Sequence, residues 1–207
     1  MVGWPFGDLV RGSAGVVLAD PPWHFKRYSE VVRGRGKAPQ DHYDTMNQDE
    51  MKALPVSDLC AADCVLIMWV TAPHLKMGLE LVEAWGFEYK TIAFSWLKAE
   101  VSSLDLFPFP KDANMGMGYW TRSNGEISLL GTRGKPKRLD AGVRMGIIEP
   151  AREHSRKPNC VYGRIERLVA GPYVELFART RRPGWSSWGN DVGKFRPALA
   201  AKNPSEA

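Results

Sequence analysis

The chain has 207 residues, 44% hydrophobic and 25% charged, which is the scale of one globular domain and excludes a disordered or low-complexity polymer. At this size roughly 70% of the unfolded surface can be buried, so no disulfide framework or structural metal is required. Net charge is +5, which permits a polyanionic partner, while the lack of any apolar run near ~18 residues and of a basic-then-apolar start leads us to expect no membrane span, no secretion and a cytoplasmic protein.

In chain order, Gly15 to Ala19 is a short apolar, β-branched run that ends at Asp20-Pro21-Pro22, so a strand should close with Asp20 at its carboxyl end. Residues 24–44 are polar, basic and Gly-containing and read as a mobile loop. Asn47 with Glu50 three residues on predicts a capping box opening a short helix through Ala53, closed by Pro55. Cys64 to Val70 is apolar without alternation, the pattern of a strand covered on both faces. Thr71-Ala72-Pro73 then starts a helix with Leu75, Leu79, Val82 and Trp85 on one face and Gly86 as its stop.

A third strand is expected from Tyr89 to Trp96, a loop from Leu97 to Gly118, a strand from Glu126 to Gly131, a helix from Pro158 to Val169 with Val161, Ile165 and Leu168 on one stripe, and a last strand from Tyr173 to Phe177. Strands alternating with helices predict an α/β sheet with helices on both faces. The loops after Ala19, Val70, Trp96 and Phe177 should then share the rim where ligands collect. A domain over residues 1–197 is expected, with 198–207 patternless and fraying.

Cys60 and Cys64 can share a helix face, but no nearby His or third Cys completes a zinc set, so buried thiols and no metal are expected. Basic residues gather in three Gly- or Pro-rich segments: Lys26 to Lys37, Arg133 to Arg138, and Arg179 to Arg182. Together on one rim they would track phosphates; the plainer reading is solvated loop charge.

The string Ala19-Asp20-Pro21-Pro22-Trp23 carries the chemistry. The exocyclic amine of adenine is a poor nucleophile because its lone pair is delocalised into the ring. A carboxylate at Asp20 can accept one of its hydrogens, and the Pro21 carbonyl, on a segment stiffened by proline, can accept the other. Trp23 offers an aromatic face for a purine. Acceptors aimed at developing positive charge, with a sulfonium methyl in line, catalyse by electrostatics and positioning. The alternative for four letters alone is a proline turn beside a core tryptophan.

Further blocks follow in order: Tyr-Asp-Thr-Met (43–46), Met-Trp-Val-Thr (68–71), Trp-Gly-Phe (85–87), Gly-Tyr-Trp (118–120), Glu126 with Leu130-Gly131, His-Ser-Arg-Lys-Pro (154–158), Ile-Glu-Arg-Leu (165–168), Glu-Leu-Phe-Ala-Arg (175–179) and Gly-Trp-x-x-Trp-Gly-Asn (184–190). From about Trp4 to Asp191 the chain resembles the DPPW-type adenine N6-methyltransferases, a family that includes the catalytic subunit of the eukaryotic messenger-RNA adenosine methyltransferase and many microbial enzymes. The resemblance implies a Rossmann-like methyltransferase sheet in permuted motif order and S-adenosylmethionine as cofactor. It implies that Asp20, Pro21, Pro22 and Trp23 form the catalytic loop. Asp20, Lys157, Arg179, Asn190 and Asp191 would meet the cofactor, Asp191 standing where the messenger-RNA enzyme has Gln. Trp23, Tyr43, Glu126 and Lys157 would meet the acceptor.

The acceptor implied is a nucleic acid, with DNA favoured by the compact chain and RNA the alternative. Relatives act alone or beside a homologous subunit, so a homo- or heterodimer is open. A non-catalytic nucleic-acid-binding subunit on the same fold would be expected to have lost the Asp or the Trp, and both are present.

Overall fold

The computed structural model describes residues 3–23, 46–98, 120–121, 123–153 and 156–193. Seven strands form one sheet: β1 (Ala14–Ala19), β2 (Cys60–Val70), β3 (Glu88–Lys98), β4 (Gly125–Arg133), β5 (Gly146–Glu149), β6 (Tyr173–Leu176) and β7 (Trp185–Trp188). Their order is β5-β3-β4-β2-β1-β6-β7. β1 is parallel to β2 and β6, and β6 to β7, whereas β4 runs antiparallel to both β2 and β3, and β3 is parallel to β5. One strand, β4, therefore points against the other six.

Both faces of the sheet are covered, which is why β1 and most of β2 lack apolar–polar alternation. Successive side chains go to opposite faces. Val17, Ala19, Leu66, Met68 and Val70 join one core with Leu81, Val82 and Trp85 of the helical layer. Val16, Leu18, Val65, Ile67 and Trp69 join a second core with Val161 and Ile165. The first layer contains α1 (Gln48–Ala53), α2 (Val56–Leu59) and α3 (Leu75–Ala84), and the second contains α4 (Cys160–Leu168). This is the expected α/β arrangement with helices on both faces. Among the described residues no helix is long and apolar enough to cross a membrane.

Local signals held where they rested on a mechanism. Asn47 caps α1, accepting from the Glu50 N–H at 2.9 Å while the Glu50 carboxylate accepts from the Asn47 N–H at 2.8 Å. Gly86 ends the α3 turn at φ +81°. Three expectations differ. Leu75 is exposed, and the buried stripe of α3 runs through Gly78, Leu81 and Val82. A Cβ on Gly78 would meet Val70 Cγ1 at 2.6 Å, so α3 approaches the sheet through its smallest residue and the apolar face is rotated. Cys60 and Cys64 are buried thiols as expected, and Cys64 lies in the expected strand, but Cys60 joins it on β2 instead of sharing a helix face with it. Edge strands β5 and β7 and the short α2 were not anticipated: each has four residues, and none stands in an apolar run like the one that marks β6.

The basic segments do not gather on one rim. Arg133 ends β4 opposite Cys64, near the amino end of β2, because β4 is antiparallel. Residues 133–138 thus leave the sheet at the rim opposite the one that receives Arg179 to Arg182. The segment from Lys26 to Lys37, the loop from residue 99 and the terminal residues 198–207 lie outside the described residues.

Candidate functional site

The antiparallel setting of β4 assembles the site. The carboxyl ends of β1, β2, β3 and β6 meet the amino end of β4 on one rim. Asp20 follows β1, Trp69 is next to last in β2, Lys98 ends β3, Glu126 opens β4, and Arg179 lies just past β6. Lys157, from the segment ahead of α4, enters from the second helical layer. The expected rim for the loops after β1, β2, β3 and β6 is the observed one.

Lys157 is the centre. Its Nζ donates to Asp20 Oδ1 and Oδ2 at 2.8 Å each, lies 3.2 Å from Glu126 Oε2, and sits 5.7 Å from the centre of the Trp69 ring. Its side chain keeps 13% of its surface exposed, against 17% for Asp20 and 12% for Glu126. Glu126 Oε1 accepts from Lys98 Nζ at 2.5 Å. Arg179 approaches Asp20 Oδ2 at 3.8 Å.

Burial works against the Lys157 charge, but Asp20 and Glu126 outweigh it and hold its pKa above the ordinary lysine value. Burial likewise pushes Glu126 up, yet Lys157 and Lys98 bring its carboxyl down to about 2. Both groups are therefore charged at neutral pH.

Beside Asp20 a cleft opens between the ends of β1 and β6, lined by Lys157, Asn159, Tyr162, Glu175, Phe177 and Arg179. β1 has β2 on one side and β6 on the other, the kind of junction where open α/β sheets bind ligands. Glu175 pairs in register with Leu18, and both its oxygens accept from Tyr162 Oη, at 3.0 and 3.1 Å. Burial raises its carboxyl to about 7; the Tyr162 bond opposes that rise and the Asp20 charge adds to it. Tyr162 is in turn covered by the Arg182 guanidinium at 4.5 Å and by the edge-on Trp185 ring.

Arg179 owes its place to an unusual turn. Phe177 has φ +60°, the left-handed region that side chains avoid, and redirects the chain as it leaves β6. Ala178 then donates to the Trp188 carbonyl at 2.9 Å. A Cβ on Gly189 would lie 2.7 Å from Ala178 N, so only glycine lets β7 come this close. The segment after β7, with the exposed Asn190 and the half-buried Asp191, returns to this turn, where the Arg179 carbonyl accepts from the Gly193 N–H at 3.2 Å.

On the far side of Asp20 the chain passes through Pro21 and Pro22 to Trp23. Trp23 N donates to the Pro21 carbonyl at 2.9 Å, which leaves that oxygen a second lone pair. The indole of Trp23 is 6% exposed, stacks on His74 at 5.5 Å and donates to the Trp69 carbonyl at 3.2 Å. Its ring is thus a fixed wall with one face on His74, rather than an open platform. Trp185 and Trp188 serve packing, their N–H groups held by Glu166 and by the Pro5 carbonyl. Tyr43 and His154 lie outside the described residues.

The structure brings Asp20, Glu126, Lys157 and Arg179 into one cluster, and Asn190 and Asp191 lie in the segment tied to Arg179 through Gly193. It adds Lys98, Tyr162 and Glu175, which the sequence reading passed over. Lys98 was within reach, since the loop after the third strand was assigned to this rim. Glu175 was signalled by a lone carboxylate within an apolar run, and Tyr162 by nothing in the sequence. Among the described residues no group of three or more His, Cys, Asp or Glu is placed to hold a metal ion.

Comparison with known proteins agrees with this geometry. The MT-A70 family model matches residues 14–191. The chain is 30% identical over 203 residues to the type II methyltransferase M.MunI of Mycoplasma sp, covering 90% of this chain and 81% of that protein. It is 32% identical over 192 residues to the N(6)-adenosine-methyltransferase MT-A70-like protein of Drosophila melanogaster, and 30% identical over 188 residues to the human N(6)-adenosine-methyltransferase catalytic subunit METTL3. Those alignments take in 90% and 88% of this chain but only 28% and 29% of the two relatives. With a matched family model spanning nearly the whole sheet and a rim built around the Asp20–Lys157 pair, the chain belongs to the MT-A70 family of adenine N6-methyltransferases.

Proposed function

We propose that this protein transfers a methyl group from S-adenosylmethionine to N6 of adenine in DNA. The observation that carries the reading is the Asp20 carboxylate, held on both oxygens by Lys157 between the cleft and the Pro21–Trp23 segment. One side of that pair offers a cavity with mixed charge, suited to a donor that bears an ammonium, a carboxylate and a nucleoside. The other side offers a peptide oxygen and an aromatic wall.

The residues fit the cofactor by their chemistry. Carboxylates at Asp20 and Glu175 suit an ammonium and hydroxyls; Lys157 and Arg179 suit a carboxylate and acceptor oxygens. Asn190 and Asp191 extend this side beyond Arg179. When bound, S-adenosylmethionine supplies a methyl group made electrophilic by its sulfonium. Asp20 and the Pro21 carbonyl hold the two amine hydrogens of the base, so the nitrogen lone pair is turned out of conjugation and toward the methyl. Lys157 keeps Asp20 in one rotamer, and Glu126 lines the acceptor side. Pro22 stiffens the turn and Trp23 closes it. The positive charge that develops on nitrogen is met by preorganised acceptors, without a strong base.

DNA is favoured because the match takes in 81% of the type II methyltransferase M.MunI, against 28% and 29% of the N(6)-adenosine-methyltransferases. In a duplex the target base must leave the stack, at about a few kcal/mol. A second reading, adenosine in RNA, draws on the 32% and 30% identity to the N(6)-adenosine-methyltransferases, against 30% to M.MunI. Tritiated-methyl transfer to duplex DNA, single-stranded DNA and RNA, followed by modification-aware sequencing, tests both. Label in N6-methyladenine of DNA is expected. Label confined to RNA moves the assignment to the second reading, and failure to bind the sulfonium donor rejects both.

A further inference from the structure

We infer that Lys98 is a positioning residue for methyl transfer: it holds the Glu126 carboxylate from the side away from Lys157 and so keeps Lys157 seated on Asp20. This rests on the proposed reading of Asp20 and Glu126. Four side chains from four segments alternate in charge across the rim. Lys98 from β3 meets Glu126 of β4 at 2.5 Å, Lys157 lies 3.2 Å from the other Glu126 oxygen, and Lys157 meets both Asp20 oxygens at 2.8 Å.

Lys157 thus has two carboxylates competing for one ammonium. It stands closer to Asp20, and the geometry gives the reason. One Glu126 oxygen already has a cation of its own, so the pull of Glu126 on Lys157 is reduced. Without Lys98, Glu126 would be a buried carboxylate with Lys157 as its nearest cation. In a water-poor site that attraction is large enough to draw the ammonium across. Asp20 would keep Arg179, 3.8 Å away, and lose the two short bonds that set its rotamer.

Lys98 is itself held rather than loose. Its Nζ lies 4.9 Å over the Trp96 ring, and the Trp96 indole donates to the Glu149 carbonyl at 2.9 Å. The pair is 26% and 12% exposed, so it is not a solvated surface bridge of small value. The charged groups facing Glu126 are Lys98 from β3 and Lys157 from the segment ahead of α4; behind Lys157 stand Asp20 after β1 and Arg179 after β6.

The test compares Lys98→Met, Lys98→Arg, Glu126→Gln and the double variant Lys98→Met/Glu126→Gln in the whole protein. It reads kcat/KM for methyl transfer to DNA against pH, cofactor affinity by calorimetry, and the thermal midpoint as a folding control. Lys98→Met is expected to lose activity on the order of tenfold, the scale of a residue that orients a functional group from behind. Its acid limb should move to higher pH, because Glu126 then takes a proton more readily, and kcat should fall by a larger factor than cofactor affinity. Lys98→Arg should restore most of the rate, and Lys98→Met should add nothing in the Glu126→Gln background. Wild-type activity and pH profile in folded Lys98→Met, or an undiminished effect in the Glu126→Gln background, overturns the inference. Full activity in Glu126→Gln alone rejects the acceptor-side reading beneath it, a separate result.

Discussion

Replacing Glu126 by Gln removes one negative charge from a site where two lysines converge, and its consequence for stability follows from proton linkage. The folded carboxyl lies at about 2 against an ordinary value of 4.5. At 1.36 kcal/mol for each tenfold change in proton affinity, that difference corresponds to roughly 3 kcal/mol of stability supplied by the ionised form. A depressed carboxyl contributes fully above its unfolded value and loses the contribution as pH falls toward the folded one. The whole amount is therefore present at neutral pH, begins to fade near about pH 4.5, and is more than half gone by about pH 3. Urea unfolding of the wild type and Glu126→Gln at neutral pH should differ by on the order of 3 kcal/mol, with the gap closing on acidification. A gap that stays constant from about pH 7 to about pH 3 would show that Lys98 and Lys157 do not stabilise this carboxylate.

The other predictions concern separate parts of the molecule. Asp20→Ala should cut methyl transfer by at least about a hundredfold in a radiolabel assay, the scale of losing a preorganised electrostatic contact, with cofactor binding by calorimetry weakened only by the lost Asp20 contact. Glu175→Gln should gain stability relative to wild type as pH rises from about 4.5 to about 7, because a carboxyl raised to about 7 by burial destabilises the fold as it ionises there; chemical denaturation at pH values on either side of that window checks it. Gly78→Val should lower stability by about 1–3 kcal/mol, since a Cβ there meets Val70 Cγ1 at 2.6 Å and α3 must lift off the sheet. A thermal midpoint equal to wild type would mean that the helix does not sit where Gly78 places it.

Much of the fold was legible because its signals are local. The apolar runs at β1 and β2, the Asn47–Glu50 capping box and the Gly86 stop each follow from chemistry within a few residues. The turn at Asp20-Pro21-Pro22 was legible for the same reason, and it located the site. The stripe of α3 was misread at Leu75 because a close helix–sheet approach selects a glycine, which carries no hydrophobic signal. Of the two readings left open for the basic segments, a shared rim fails at Arg133, because strand direction is not written in composition.

By itself the sequence determined which stretches become strands and helices, where Asp20 must fall, and which ordered blocks tie the chain to its family, since each depends on neighbours along the chain. Only the tertiary structure decided that β4 runs antiparallel, and with it that Glu126 meets both Lys98 and Lys157, residues far from it in sequence. Charge pairing of that kind depends on which ends of which strands share a rim, and that is settled by long-range strand pairing, not by any local preference.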